Sequence, residues 1–344
     1  MRSLRLHGPK DLRLHDEPKP QPGQGEVQIQ IKSVGICASD LHYYREARIG
    51  TTTITDPIVM GHEASGVITA LGEGVESLKV GDRVAIEPAK PCGQCEYCKS
   101  GHFNVCRGVQ FFGTPPVDGC LRDYITWPAE LALKVPDLIS FDEAAMVEPL
   151  AVGVYAVDLA SISAGDTIAI FGVGAIGLSV LQAAKVAGVG RIIVTDPVPA
   201  RRELAIELGA DAALDPHSQD VEKELAGLTG SRGVDIAFEC AGVPETLVDA
   251  GNVVHPLGKI VVVGIPDEDA YSFEASNARR KQLSVIFVRR SNLTAERSID
   301  LISSGKMNVT CYGRHHFPLE KTAQAMDAAI AKSDGVIRAI VQIN

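Results

Sequence analysis

The stretch that most restricts what this 344-residue chain can fold into is 167–177, where the apolar run Thr167-Ile168-Ala169-Ile170-Phe171 passes straight into Gly172-Val173-Gly174-Ala175-Ile176-Gly177. A helical pattern follows at 175–187. Standing alone, Gly-x-Gly-x-x-Gly says little; set between a buried strand and a helix, it is the phosphate-cradling turn of a doubly wound parallel sheet. Gly172 permits the tight turn, Gly174 lets backbone come close to a pyrophosphate at the positive end of the helix dipole, and Gly177 lets the helix press on the sheet. The run on to Ala184 is apolar enough to imitate a membrane span. Its glycines and the stop at Lys185 make it a buried strand followed by a buried helix instead.

The pattern around this turn is that of an α/β unit. Strands are expected at 167–171, 191–195, 234–239 and 259–263, with helices between them at 175–187, 199–208, 221–229 and 245–254. The second strand ends at Asp196, nineteen residues after Gly177. A carboxylate there bonds both adenosine-ribose hydroxyls and repels a 2′-phosphate, which favours NAD over NADP. Arg201 and Arg202 pull the other way, since arginines at this point suit a 2′-phosphate as well as the first turn of a surface helix.

Residues 1–135 have a different texture: short alternating segments at 27–34, 64–71 and 83–87, punctuated by Gly and Pro, read as an all-β unit with loops. A helical period occupies 141–159. After a strand at 283–288 come helices at 294–304 and 319–331 and a closing strand at 336–343, which returns the chain to the first domain. The length suits two domains at roughly 150 residues each. Net charge of −10 and pI near 5.4 argue against a nucleic-acid partner, and no repeat or low-complexity tract is visible. No charged-then-apolar leader opens residues 1–12, so the reading is a cytoplasmic protein with reduced thiols and no membrane partner.

Those thiols include Cys92, Cys95, Cys98 and Cys106, a Cys-x2-Cys-x2-Cys-x7-Cys run able to close a tetrahedral zinc shell. A disulfide framework does not suit a chain of this size and cysteine content. An iron-sulfur cluster is the rival, but the run lacks the proline-terminated ferredoxin spacing. A closed four-cysteine zinc site is structural and does no chemistry itself. Candidates for chemistry lie in Gly61-His62-Glu63-x2-Gly66-x5-Gly72 and in Gly35-Ile36-Cys37-Ala38-Ser39-Asp40.

Together with the cysteine run and the dinucleotide turn, these residues resemble the zinc-containing medium-chain alcohol dehydrogenases over essentially the whole chain. The resemblance implies a GroES-like β-barrel catalytic domain from 1–150 and 290–344, with a structural-zinc lobe near 88–110, and a Rossmann domain at 151–289. It implies a catalytic zinc held by Cys37, His62 and Glu63 with water in the fourth position. Val147-Glu148-Pro149-Leu150 resembles the sorbitol and xylitol dehydrogenase branch, which places Glu148 near that zinc. The zinc favours the alkoxide of a bound alcohol and NAD takes the hydride. Ser39 and His42 resemble the family's proton relay.

His42-Tyr43-Tyr44 and the run 111–119 also resemble the polyol branch, implying substrate contacts at Tyr43, Phe111, Thr114, Glu148, Arg289 and Arg290. Cofactor contacts are implied at Gly172, Gly174, Ile176, Gly177, Asp196, Arg201, Val263, Gly264, Ile265 and Val288, and the assembly implied is a homotetramer. Arg290 stands where the branch has tyrosine, so a sugar-acid dehydrogenase of the idonate type is the alternative, as is a threonine dehydrogenase. A catalytically silent zinc- and dinucleotide-binding protein is the alternative from another class. Cys120, Cys240, Cys311, His102, His315 and His316 receive no role.

Overall fold

A computed structural model describes residues 1–266 and 270–344. The chain divides into two compact units, Met1–Glu148 with Ala295–Asn344, and Pro149–Thr294.

In the first unit, strand Glu26–Gly35 is the centre of a seven-stranded sheet. Its alternating Val27, Ile29 and Ile31 are fully buried, each contributing about 1.5–3 kcal/mol through removal from water. It pairs antiparallel with Glu63–Leu71, Tyr124–Pro128 and Ala339–Gln342. The last of these also pairs parallel with His315–Pro318, and Glu63–Leu71 continues the sheet through Arg83–Ile86 to Ala132–Lys134. A smaller sheet joins Asp11–Asp16, Arg2–Gly8 and Ile58–Val59. The closing strand is thus tied to the first long strand by hydrogen bonds.

The helical run expected over 141–159 is two helices, Phe141–Ala145 and Val147–Ala160. Pro149 is the reason: it has no N–H to give the Ala145 carbonyl and its ring crowds that carbonyl, so a new helix starts at Val147 with proline in its first turn. Ser140 and Glu143 cap the shorter helix reciprocally. The helix Ala38–Glu46 is an element the sequence pattern did not suggest. The expected helix at 319–331 begins with a tighter 3-10 turn, Leu319–Lys321, before Thr322–Ala331.

In the second unit six parallel strands lie in the order Ala212–Leu214, Arg191–Thr195, Thr167–Phe171, Val234–Glu239, Val254–Val262 and Ser284–Phe287. Thr167–Phe171 pairs with Arg191–Thr195 on one side and Val234–Glu239 on the other, so the order in which strands are added reverses there. Val254–Val262 starts five residues before the expected 259–263. The short edge strand Ala212–Leu214 and helix Ala275–Lys281 were not foreseen. Among the described residues no helix is long and apolar enough to cross a membrane.

Candidate metal centres and dinucleotide turn

The cysteine run lies in a loop closed at its base by strand Ala89–Lys90 pairing with Gln110–Phe111. Inside it, Cys95 caps the short helix Glu96–Lys99, which turns Cys98 inward, and a 3-10 turn at Phe103–Val105 delivers Cys106. The four sulfurs lie within 4.8 Å of one another. Cys95 Sγ is 3.5 Å from Cys98 Sγ, and Cys92 Sγ is 4.0 Å from it. Those separations straddle the roughly 3.8 Å edge of a tetrahedron with metal–sulfur bonds of about 2.3 Å. Backbone N–H groups hold the Cys95 thiol down to about 6, while burial pushes Cys98 up to about 12. All four are free cysteines, and a cation is what lets such a group be thiolate together.

The second cluster is assembled from distant segments. Cys37 is the N-cap of helix Ala38–Glu46, and His62 and Glu63 stand at the start of strand Glu63–Leu71. Strand register puts Glu63 opposite Gly35. A Cβ on Gly35 would lie 2.3 Å from Glu63 Oε2 and 2.7 Å from Met146 Cε, so a glycine is what makes room for the carboxylate. Asp40 pins both ligand segments: Oδ2 accepts the Cys37 N–H at 2.9 Å and Oδ1 the Gly61 N–H at 3.1 Å. Arg338, from the far end of the chain, places Nη2 2.8 Å from Glu63 Oε1 and donates from Nη1 to the Ile36 carbonyl at 3.2 Å.

One ligand atom from each of Cys37, His62 and Glu63 falls within 4.8 Å of the others. Glu63 is fully buried, and neither carboxylate oxygen accepts a well-formed hydrogen bond. Burial, then the Glu63 charge, pushes Cys37 up to about 12, and burial raises Glu63 as well. A thiolate and a carboxylate are therefore mutually costly here without a further cation. One soft donor, one imidazole and one carboxylate, left short of hydrogen bonds, fit a zinc ion with an open fourth position. Burial pushes Glu148, in the first turn of Val147–Ala160, up to about 8; the His62 charge works against that rise and the Glu63 and Cys37 charges add to it.

The glycine turn fits a dinucleotide by what surrounds each residue. Gly172 has φ +87°, and a Cβ on it would meet Ala241 at 2.9 Å; one on Gly177 would strike the Gly172 carbonyl oxygen at 1.9 Å. Packing alone requires both. Gly174, the N-cap of helix Ala175–Val186, is different: its Cβ would meet nothing nearer than Arg201 Nη1 at 3.6 Å. Room left at a helix N-terminus is room for phosphate oxygens. Asp196 is buried, accepting the Val173 N–H through Oδ2 and the Val198 N–H through Oδ1, both at 2.9 Å. It braces the glycine turn as well as standing at the strand end. Arg202 is engaged with Asp215 at 3.1 Å and with the Asp196 carbonyl. Arg201 Nη1 lies 4.0 Å from Asp196 Oδ2.

Comparison with known proteins agrees with this geometry. The alcohol dehydrogenase GroES-like domain family matches residues 23–137, and the zinc-binding dehydrogenase family matches residues 175–304. Sorbitol dehydrogenase of Bacillus subtilis (strain 168) is 37% identical over 344 residues, covering 100% of this chain and 98% of its own. This chain belongs to the zinc-binding alcohol dehydrogenases. D-xylulose reductase of Morganella morganii is 39% identical over 283 residues, 82% of this chain and 83% of the relative. An Escherichia coli oxidoreductase of unknown specificity superposes with a TM-score of 0.95 at 33% identity, covering 100% of this chain and 99% of that one.

Within this zinc-binding dehydrogenase, Ser39, His42 and Tyr43 share one face of helix Ala38–Glu46 through i, i+3 and i+4 spacing. Tyr43 is only 3% exposed, packed into the core of the first unit, which leaves a substrate little of it to touch. The Phe111 ring centre is 5.2 Å from that of His62, and the Thr114 N–H donates to the Phe111 carbonyl at 3.3 Å. In the second unit Val263 donates to the Glu239 carbonyl and Val288 to that of Val262, fixing the loops at the carboxyl edge of the sheet, where Ile265 is exposed. Gly264 donates to the same Glu239 carbonyl, Ile176 lies half-buried in the first turn of its helix, Arg289 is exposed, and Arg290 is half-buried with φ 55°. Sequence reasoning missed Asp40, Gly35 and Arg338. Asp40 carried a readable signal, an acidic residue at the third helical position after Cys37; Arg338 carried none.

Proposed function

We propose that this chain oxidises a secondary hydroxyl of a sorbitol- or xylitol-like polyol to the ketose, with NAD as hydride acceptor. The observation that carries the reading is the meeting of Cys37, His62 and Glu63 within 4.8 Å of one another, with the buried Glu63 carboxylate short of hydrogen bonds. Sequence similarity to a sorbitol dehydrogenase and a D-xylulose reductase supports the substrate class.

Cys37, His62 and Glu63 hold the catalytic zinc, and Cys92, Cys95, Cys98 and Cys106 a structural one. When bound, the catalytic zinc supplies Lewis acidity toward the hydroxyl and the nicotinamide supplies the two-electron acceptor. Asp40 orients the ligand segments and Arg338 steadies the Glu63 carboxylate. Ser39 Oγ both accepts and donates a proton, and the His42 ring passes it toward solvent. Glu148 stands beside the ligands, and Phe111 and Thr114 shape the substrate wall; contacts at Tyr43, Arg289 and Arg290 rest on the resemblance to the polyol branch alone.

Gly172, Gly174, Ile176 and Gly177 receive the pyrophosphate, Asp196 and Arg201 the adenosine ribose, and Val263, Gly264, Ile265 and Val288 the nicotinamide half. The resemblance to the polyol branch supports a homotetramer in the cytoplasm.

A kinetic screen of sorbitol, xylitol, galactitol, ribitol, idonate and threonine with NAD and NADP tests the proposal. Polyols turning over with NAD is the expected outcome; turnover of threonine alone overturns the substrate class, and no turnover at all favours the silent protein. Asp196→Ala is expected to raise the NAD Kd about tenfold and relax discrimination against NADP. Unchanged cofactor selectivity would count against the ribose assignment.

A further inference from the structure

One buried carboxylate in the dinucleotide unit has no part in that mechanism. Glu239 closes strand Val234–Glu239 and is 1% exposed. Its Oε1 accepts three hydrogen bonds, from the Ala241 N–H, the Gly242 N–H and the Thr246 hydroxyl, each at 2.8 Å. Its main-chain carbonyl accepts the Val263 N–H at 2.8 Å and the Gly264 N–H at 3.0 Å. Oε2 makes no well-formed hydrogen bond, although the Gly264 N–H still favours the charged carboxylate. That oxygen faces Gly264, where an added Cβ would come within 2.6 Å of it. Because a Cβ on Gly172 would touch Ala241 at 2.9 Å, the carboxylate lies where the loops after three adjacent strands meet.

Structural duty explains only half of this group. A glutamine carbonyl oxygen could take the same three donors, so holding the turns needs one oxygen and no charge. Burial pushes the Glu239 carboxyl upward, with the Thr246 hydroxyl and the Gly242, Ala241 and Gly264 N–H groups pulling against it, so keeping an anion here is costly. In a sheet of this order a dinucleotide lies across the carboxyl ends at the point where the strand order reverses. With its adenosine half on the Asp196 side, its nicotinamide half lies over the loops that follow Val234–Glu239 and Val254–Val262. The oxidised ring carries a positive charge and the reduced ring carries none.

We infer that Glu239 is a positioning residue whose spare carboxylate oxygen biases the cofactor site toward oxidised over reduced nicotinamide. The inference rests on the NAD reading above. The test is calorimetric titration of NAD and NADH, without substrate, into the zinc-loaded full-length protein and three variants. Glu239→Gln is expected to weaken NAD about tenfold while leaving NADH within about twofold, a change in their ratio of about tenfold. Glu239→Asp keeps the charge and should keep the ratio near its original value even if both affinities fall. Thr246→Val, which disturbs the turn without removing charge, should move both ligands together.

Equal shifts for NAD and NADH in Glu239→Gln would overturn the inference while leaving the cofactor reading intact, as would a ratio lost in Glu239→Asp. Failure of the unaltered protein to bind either form overturns the cofactor reading and this inference with it.

Discussion

The two clusters of side chains proposed to hold zinc lie in the same unit and are built in opposite ways. The loop cluster draws four identical ligands from positions 92 to 106, on short turns with little apolar packing of their own. The buried cluster draws three different ligands from a helix cap and a strand end, braced by Asp40 and by an arginine at position 338. On that proposal the loop would take its shape from the ion, whereas in the core the sheet makes the shape and an ion would balance the charge. Loss of metal should therefore unfold one place and silence the other.

The strongest test of that contrast is Cys98→Ser. Structural zinc contributes on the order of 10 kcal/mol to folding its ligand loop, so this variant is expected to lose the loop metal and melt far below the parent, as measured by metal analysis and calorimetry. A melting temperature unchanged after loss of the loop metal would erase the distinction. His62→Ala should act in reverse, lowering kcat/KM by about 1,000-fold or more, roughly 4 kcal/mol or above, with only a small change in melting temperature. If it unfolds the protein instead, the core is not shaped independently of its ion.

Arg338→Ala probes the bracing. Removing one partner of a buried ion pair costs about 3–5 kcal/mol, because the remaining charge is left without compensation. Glu63 is fully buried, so denaturant unfolding of the metal-free protein should show that loss, and added zinc should recover part of it. A cost below about 1 kcal/mol would place the pair with ordinary surface bridges.

The smallest effect is a pH slope. Burial holds the Cys37 thiol up to about 12 in the metal-free protein, so it is protonated at neutral pH and must release that proton when it binds zinc. Affinity at the buried site is expected to rise about tenfold per pH unit between roughly pH 6 and 8 and to fall as pH drops, readable by competition with a chelator. A flat profile would mean that Cys37 is already a thiolate before the ion arrives.

Parts of both regions were legible in the sequence, for reasons that can be named. Strands Thr167–Phe171, Arg191–Thr195 and Val234–Glu239 fall where they were expected because each carries a short core of consecutive apolar residues, at 168–171, 192–194 and 236–238, after a nearby glycine or aspartate. The cysteine loop was legible because all its ligands are close in sequence. Cys37, His62 and Glu63 were found through resemblance, since no spacing rule brings a helix cap to a strand end. Arg338 was invisible: 275 residues separate it from Glu63, and a lone arginine near a strand looks like any surface cation. The split at Met146 was missed because the hydrophobic period continues through Pro149 and hides a proline that only chain geometry makes decisive.

The hydrogen-bonded pairing of Ala339–Gln342 with Glu26–Gly35 has a consequence for biosynthesis. By the time residue 294 has left the ribosome, all six strands of the dinucleotide sheet are available. The metal-binding sheet at that moment still lacks its closing strand and the guanidinium that grips Glu63. A nascent chain halted there would carry a finished cofactor fold joined to an unsealed barrel with an exposed strand edge, the species that a chaperone should be found guarding.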